Sequence, residues 1–278
     1  PRTFSDNTVE SFSQVQLVGT GHYNEESFND IVLESIPRPG EPTGRCVGVN
    51  FAHESSQELA PGSAAGVPAA TGGWNNMTIS DTDPNGHWNS GSLTMLSDNS
   101  GGTVPGLSVD VGATPSTQVW RAGAAGWGFS GENLTMQSGM LYPQPQIEVT
   151  GVPYDLYDVY VYLGSGANGG KASATISVAD GATGVVDPTG MYDLNFNWQG
   201  GNFVRGTATT LDSAFGSNYA VFTGNTASSF VLDIDGKAGD SWQGATAFQI
   251  VEVVPEPSTL VLVALLAAAA SCTVRRRW

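Results

Sequence analysis

The 278 residues carry 26 acidic and 10 basic side chains, a net charge of -16, and an anionic field of that size repels phosphate backbones and excludes nucleic acid as a partner. Apolar residues make up 40%, enough for a packed core, while charged residues reach only 13%, about half the ~25% of ordinary soluble domains. With 36 glycines and 15 prolines, the surface is solvated by hydroxyls and amides, which suits a secreted β-protein better than one built of long amphipathic helices.

Residues 1–36 open the chain. Pro1 is not an initiator Met and PRTFSDNTVESFS has no apolar stretch of the kind a secretion signal needs, so the natural start is expected upstream. Ser27 to Glu34 (SFNDIVLE) reads as the closing strand of a preceding β-domain, of which residues 1–36 are the expected remnant. Residues 37–45, with Pro37, Pro39, Gly40 and Pro42, form a linker.

Residues 46–254 are expected to form the ectodomain, built of short apolar runs separated by turn residues. Strands are predicted at 46–52, 92–96, 107–111, 146–150, 157–163, 173–178, 219–223, 229–234 and 247–253. Asn99-Ser100-Gly101-Gly102, the run Gly164 to Gly170 and Asp235-Gly236 supply the punctuation. That pattern predicts an all-β, antiparallel sandwich. Tyr157 to Leu163 is apolar on both faces after Asp158 and belongs in a sheet interior. The only helix expected lies in the C-terminal tail.

Within this domain, Asp81, Asp83 and Asn85 followed by Gly86 repeat the first half of a calcium-binding loop, in which alternate short oxygen ligands converge around a sharp turn; His87 follows. Position 12 of that loop is Ser92 rather than a bidentate Glu, and Asp-Pro-Asn-Gly is strong turn chemistry by itself. Calcium is the one cofactor the sequence suggests. Asp233, Asp235 and Asp240 make a second acidic cluster. Trp88, Trp198 and Trp242 sit beside Asn, Gln or His in Gly-rich company, where exposed rings could stack on sugar faces while amides reach the hydroxyls. Asn76 and Asn133 begin Asn-X-Thr sequons.

No catalytic constellation emerges. His22, His53 and His87 lack metal-ligand spacing, and no Ser or Cys sits in a nucleophile elbow. A glycosidase pair cannot be chosen among so many carboxylates, because that chemistry depends on a separation the sequence does not give. The expectation is a protein that is not an enzyme. Cys46 and Cys272, one in the ectodomain and one in the tail, form no disulfide framework.

The tail, residues 255–278, is organised differently. Val254-Pro255-Glu256-Pro257-Ser258 precedes an apolar run, with a transmembrane helix expected over 259–274. With Ser258 the run is about 17 residues, roughly 25 Å at 1.5 Å each, the short limit for spanning. Arg275, Arg276 and Arg277 follow at once, and such a cluster stays cytoplasmic, placing residues 1–254 outside.

These three parts in order resemble the PEP-CTERM sorting signal of bacteria. The resemblance implies recognition by an exosortase-type transpeptidase, membrane retention through the helix, and release into an envelope or polysaccharide-rich matrix. The ectodomain is similar, through Val47-Gly48-Val49-Asn50-Phe51, Gly73-Trp74-Asn75-Asn76, Tyr157 to Tyr162 and Ala247 to Val251, to galactose-binding-like and malectin-type jelly rolls of exported planctomycete-like proteins. That likeness implies a jelly-roll fold and a polysaccharide partner. The function expected is therefore a non-enzymatic, glycan-contacting or structural envelope protein. The alternative is an accessory module of a larger secreted hydrolase whose catalytic part lies upstream of residue 1.

Overall fold

A computed structural model describes residues 44–67, 72–79, 90–112, 117–121, 128–165, 170–195, 200–210, 216–237 and 243–254. All of them belong to the compact unit Thr43–Trp278. The residue 1–36 remnant, most of the linker and the whole tail, including the helix expected over 259–274, lie outside the described residues. Among the described residues no helix is long and apolar enough to cross a membrane.

In chain order the strands are β1 Cys46–Ala52, β2 Trp74–Thr78, β3 Gly91–Thr94, β4 Ser108–Val111 and β5 Thr117–Arg121. After the helix α1, Gly131–Ser138, come β6 Gly139–Pro143, β7 Gln146–Thr150, β8 Tyr157–Ser165 and β9 Lys171–Val178. The chain finishes with β10 Met191–Asn195, β11 Tyr219–Asn225, β12 Ser229–Lys237 and β13 Gln243–Glu252. One sheet runs β11-β8-β13-β1-β2, with β6 also on β13 and β5 on β6; the other runs β10-β9-β12-β7-β4-β3. The protein is an all-β sandwich.

Two expectations need correction. The pairing is antiparallel except for β1 and β2, which are parallel, with Gly48 opposite Trp74 and Ala52 opposite Thr78. A helix also exists inside the sandwich: α1 covers the outer face of the larger sheet, burying Met136 and Gln137. Its eight residues, Gly-Glu-Asn-Leu-Thr-Met-Gln-Ser, are too few to show a helical hydrophobic period.

The sheets meet through alternating side chains. Val47, Val49 and Phe51 of β1 face Ile147, Val149, Leu232 and Ile234 across the core, and the layers interlock where Tyr157 stacks on Phe230 at 6.0 Å and Tyr192 tilts on Phe222 at 5.2 Å. The larger sheet is unusual in being buried on both faces, which is why Tyr157 to Leu163 reads as doubly apolar. Leu59, Ala65, Trp74, Met136, Tyr162, Tyr219, Val221 and Ala247 form a second cluster on its outer side, roofed by α1 and by the segment from His53 to Val67. Several polar groups under that roof are bonded, although both amide atoms of Gln137 and Trp74 Nε1 are buried without a partner among the described residues. Asn76 Nδ2 donates to the Leu59 carbonyl at 2.9 Å while its Oδ1 accepts from Leu59 N at 2.8 Å, and Gln57 Nε2 donates to the Ser138 carbonyl at 3.0 Å.

Asp187 is the most heavily bonded buried carboxylate. It is 4% exposed; its Oδ1 accepts from Thr189 N at 2.8 Å and its Oδ2 from Thr223 N at 2.8 Å, with the Tyr192 hydroxyl at 3.4 Å. Burial alone would raise its pKa, but these donors, Thr223 N first, together outweigh it and hold the carboxyl below the usual aspartate range. A depressed folded pKa stabilises the fold above the ordinary aspartate range, and that contribution is lost as pH falls through the folded value. Asp187→Asn keeps one acceptor oxygen but turns its NH2 toward the other backbone N–H, that of Thr189 or Thr223, so about 1–3 kcal/mol of stability is expected to go at about pH 7. Urea denaturation of both proteins is expected to show the gap narrowing as pH falls below the ordinary aspartate range of about 3.9 and the wild-type carboxylate protonates. A gap independent of pH would show that the charge plays no part.

The two ends of the sandwich differ in use. At one end the first and last strands are clasped together: Glu252 N donates to the Arg45 carbonyl at 2.8 Å. The Arg45 guanidinium Nε meets Glu252 Oε2 at 3.2 Å and lies 5.0 Å over the Tyr154 ring. Arg45 is half exposed, so the ion pair itself contributes no more than about 1 kcal/mol; the backbone pairing fixes the geometry. At the opposite end lie Lys171, Asn195 and Lys237, which are register partners. Ser165, Gln243 and Gly170 lie there too, with Gly170 against the side chains of the other two, as do the close of β2 and the start of β3.

Candidate functional site

The outer face of the six-stranded sheet is mostly polar, with Val231 and Met191 as apolar exceptions. Period-two alternation turns Val109, Val111, Ile147, Val149, Leu232 and Ile234 inward and leaves the residues between them facing solvent. Register then assembles rows across strands: Ser92 beside Asp110, Asp110 beside Glu148, and Glu148 beside Val231. A second row places Gln146 beside Asp233 and Thr175, and a third joins Asp235, Ser173 and Asp193. The Ser173 hydroxyl bonds the Asp193 carboxylate, Gln144 Nε2 donates to Asp235 at 2.9 Å, and the Ser108 and Thr150 hydroxyls lie 2.6 Å apart.

Two shallow grooves flank the start of β3. One, of about 370 Å³, is lined by Ser90, Ser92, Asp110, Gln146 and Glu148. The other, of about 460 Å³, opens between β2 and β3 over Met77, Ile79 and Leu93, with Asn76, Ser90 and Ser92 at its rim. Asp110 and Glu148 stand directly opposite each other, a like-charge pairing that is unfavourable unless a hydroxyl donor or cation sits between them. The lining is rich in acceptors and in small hydroxyls. Chemically it suits a polyhydroxylated ligand held by hydrogen bonds.

The residues singled out in the sequence fall largely elsewhere. Asp81, Asp83, Asn85, His87 and Trp88, together with Trp198, Trp242, Asp240, Pro255 to Ser258 and Arg275 to Arg277, lie outside the described residues. Val254 is described and is 57% exposed. The described strands show where those segments leave the fold. Residues 80–89 depart from Ile79 and return at Ser90, both groove-lining positions, while 196–199 and 238–242 depart from Asn195 and Lys237, which share one register row at the same end. Asp233 and Asp235 lie on a strand face rather than in a loop, and among the described residues no three metal-ligating side chains come together.

Other sequence candidates have structural work. Trp74 is 2% exposed and packs its ring over Gly48. The Asn76 amide sits in the network under the roof, and Asn133 Oδ1 accepts from Gly66 N at 2.9 Å, so both sequon side chains are engaged. His53 lies at the start of the roof segment, where its backbone N–H donates to Gln57 Oε1 at 2.7 Å. Of the groove residues, the sequence marks Ser92 only as position 12 of the Asp81 loop and does not point to Ser90, Asp110, Gln146 or Glu148. The alternation Gln146-Ile147-Glu148-Val149-Thr150 marks which side chains point outward, but only the strand order brings three separate segments to one groove.

The fold and grooves define a two-sheet β-sandwich with a polar, acceptor-rich face. Compared with known proteins, the chain matches no family model and no curated protein is similar to it.

Proposed function

We propose that this chain is an exported envelope or matrix protein, sorted through its PEP-CTERM-like tail by an exosortase-type transpeptidase, whose jelly-roll-type sandwich contacts polysaccharide without catalysing a reaction. The observation that carries the reading is the clasp of Arg45 on Glu252. It gathers the chain's entry and exit at one end of the sandwich, two residues before Val254-Pro255-Glu256-Pro257. Ile79, Ser90, Asn195 and Lys237, the described flanks of the stretches that contain Trp88, Trp198 and Trp242, and the hydroxyl-lined grooves beside β3 lie at the other end. A domain tethered through its C-terminus would in this way hold the grooved end away from the membrane.

Ligand contact then follows the usual division of labour for sugars: rings of Trp88, Trp198 and Trp242 stack on pyranose faces while Ser92, Asp110 and Glu148 accept hydroxyl donors. Calcium held by Asp81, Asp83, Asn85 and His87 would brace the stretch between Ile79 and Ser90. A glycan array probed with the full chain in detergent tests this. Binding to at least one polysaccharide class is expected, weakened at least tenfold, or about 1.4 kcal/mol, by Trp88→Ala and reduced by chelator. No binding to any glycan would leave a purely structural role, and binding indifferent to Trp88→Ala, Trp198→Ala and Trp242→Ala would remove the stacking contacts.

A further inference from the structure

The roofed outer face of the larger sheet holds three reactive groups in contact. Cys46 on β1 and Gln249 on β13 project from the same face of neighbouring antiparallel strands, with Gln249 opposite Gly48, two residues along from Cys46. Gln249 Nε2 lies 3.6 Å from Cys46 Sγ, so the amide carbonyl carbon is one bond beyond the atom already touching sulfur. On its other side Gln249 Oε1 accepts a hydrogen bond from the Tyr162 hydroxyl at 2.7 Å. That hydroxyl in turn accepts from Val67 N at 2.8 Å. The chain of donors fixes the amide: with its oxygen taking a backbone N–H, Tyr162 directs its one proton at Oε1 and leaves the NH2 facing sulfur. Cys46, Gln249 and Tyr162 are all fully buried.

We propose that Cys46 and Gln249 react with each other, the thiol sulfur displacing ammonia from the side-chain amide to leave an intramolecular thioester that ties β1 to β13. In the addition step the S–C bond forms at Gln249 Cδ and the carbonyl electron pair moves onto Oε1, where the Tyr162 hydroxyl stabilises it as an oxyanion-hole donor does. In the elimination step the C=O re-forms, the C–N bond breaks, and the nitrogen departs as ammonia carrying its own two hydrogens and the thiol proton. No oxidant, reductant or co-reactant enters. Burial pushes the Cys46 thiol up to about 12, so the proton the leaving nitrogen needs is still on sulfur when the groups meet. Holding the two groups in contact supplies an effective concentration that can exceed about 10⁵ M, and at neutral pH the released ammonia is protonated and diluted, which opposes return.

The roof protects the product. Gly66 lies directly over the site: a Cβ there would stand 2.6 Å from Gln249 Oε1 and 2.7 Å from the Tyr162 hydroxyl, so only glycine lets the backbone close so tightly and exclude hydrolytic water. The bond would join the first strand of the sandwich to the last, at the end where the chain enters and leaves.

The full chain, made in a host without the processing enzyme, is denatured in guanidinium with a phosphine reductant, labelled with maleimide and weighed intact. The sequence has two cysteines. One labelled thiol, Cys272, and a mass lower by one ammonia are expected, and methylamine added after denaturation is expected to release the second thiol and leave a methylamide on Gln249. Cys46→Ala is expected to restore the full amide mass, and Tyr162→Phe, which keeps the ring packing, to slow thioester formation by about 100-fold. Two labelled thiols at the unshifted mass overturn the proposal. So does an ammonia deficit that persists in Cys46→Ala, because a succinimide at Asn85-Gly86 or Asn168-Gly169 would then be its source.

Discussion

Replacing Pro255-Glu256-Pro257 by three alanines is expected to leave the chain full-length in the membrane fraction of its native cell, with processing slowed roughly 100-fold, equivalent to about 3 kcal/mol of lost recognition. The physical basis is local. Proline favours φ near -65° and disfavours helical backbone at the residue before it, so a Pro-Glu-Pro segment would lose less ordering entropy on binding than an alanine one. Just before it, Val253 N donates to the Leu156 carbonyl at 2.9 Å, and Val254 is exposed. Alanines would restore flexibility and remove the two helix-breaking residues. Immunoblotting of membrane and medium fractions reads the outcome, and release at the wild-type rate would remove the sorting role from these residues.

Phe248→Ala is expected to have the largest effect on the fold. Phe248 is fully buried in the middle of β13, the strand that pairs with β8 along one side and with β1 and β6 along the other. Its ring centroid lies 6.1 Å from that of Phe51. Truncation empties the core between the sheets at a cost of about 3–5 kcal/mol, because a strand hydrogen-bonded on both sides cannot collapse into the void. For a domain of this size a drop in melting temperature of roughly 10 °C follows. Circular dichroism melting checks it, with Val254→Ala as a comparison expected to shift nothing. A change of under about 2 °C for Phe248→Ala would mean that β13 is not central to the core.

Much of the sandwich was legible in the sequence because its strands alternate or run apolar at strand length. Predicted bounds at 46–52 and 146–150 coincide with β1 and β7, and the predicted strands at 157–163, 173–178, 219–223 and 229–234 lie within β8, β9, β11 and β12. Of the described strands four escaped, β2, β5, β6 and β10, and in two of them polar residues mask the pattern. Trp74-Asn75-Asn76-Met77-Thr78 looks like a turn, yet becomes β2 because Asn75 and Asn76 bond backbone groups of neighbouring segments rather than water. Met191-Tyr192-Asp193-Leu194-Asn195 becomes β10 with Asp193 buried, its charge met by the Ser173 hydroxyl. Both are tertiary solutions to local polarity, and no window of sequence contains their partners.

The candidate site was less legible for the same reason. Asp110 and Glu148 are ordinary outward positions in two strands 38 residues apart in sequence, and only the order β12-β7-β4-β3 makes them neighbours. The Cys46–Gln249 contact spans 203 residues. A lone cysteine followed by Val-Gly-Val reads simply as a small apolar residue opening a strand, and nothing in its surroundings names a glutamine near the far end of the domain.

Peptide mapping of the C-terminus on material taken from the native cell tests the proposal of export and sorting most directly. The last peptide of the secreted or envelope-bound protein is expected to end within Val254 to Ser258, with no trace of Arg275, Arg276 or Arg277. Recovery of the chain from the cytosol with Trp278 still at its end would contradict it.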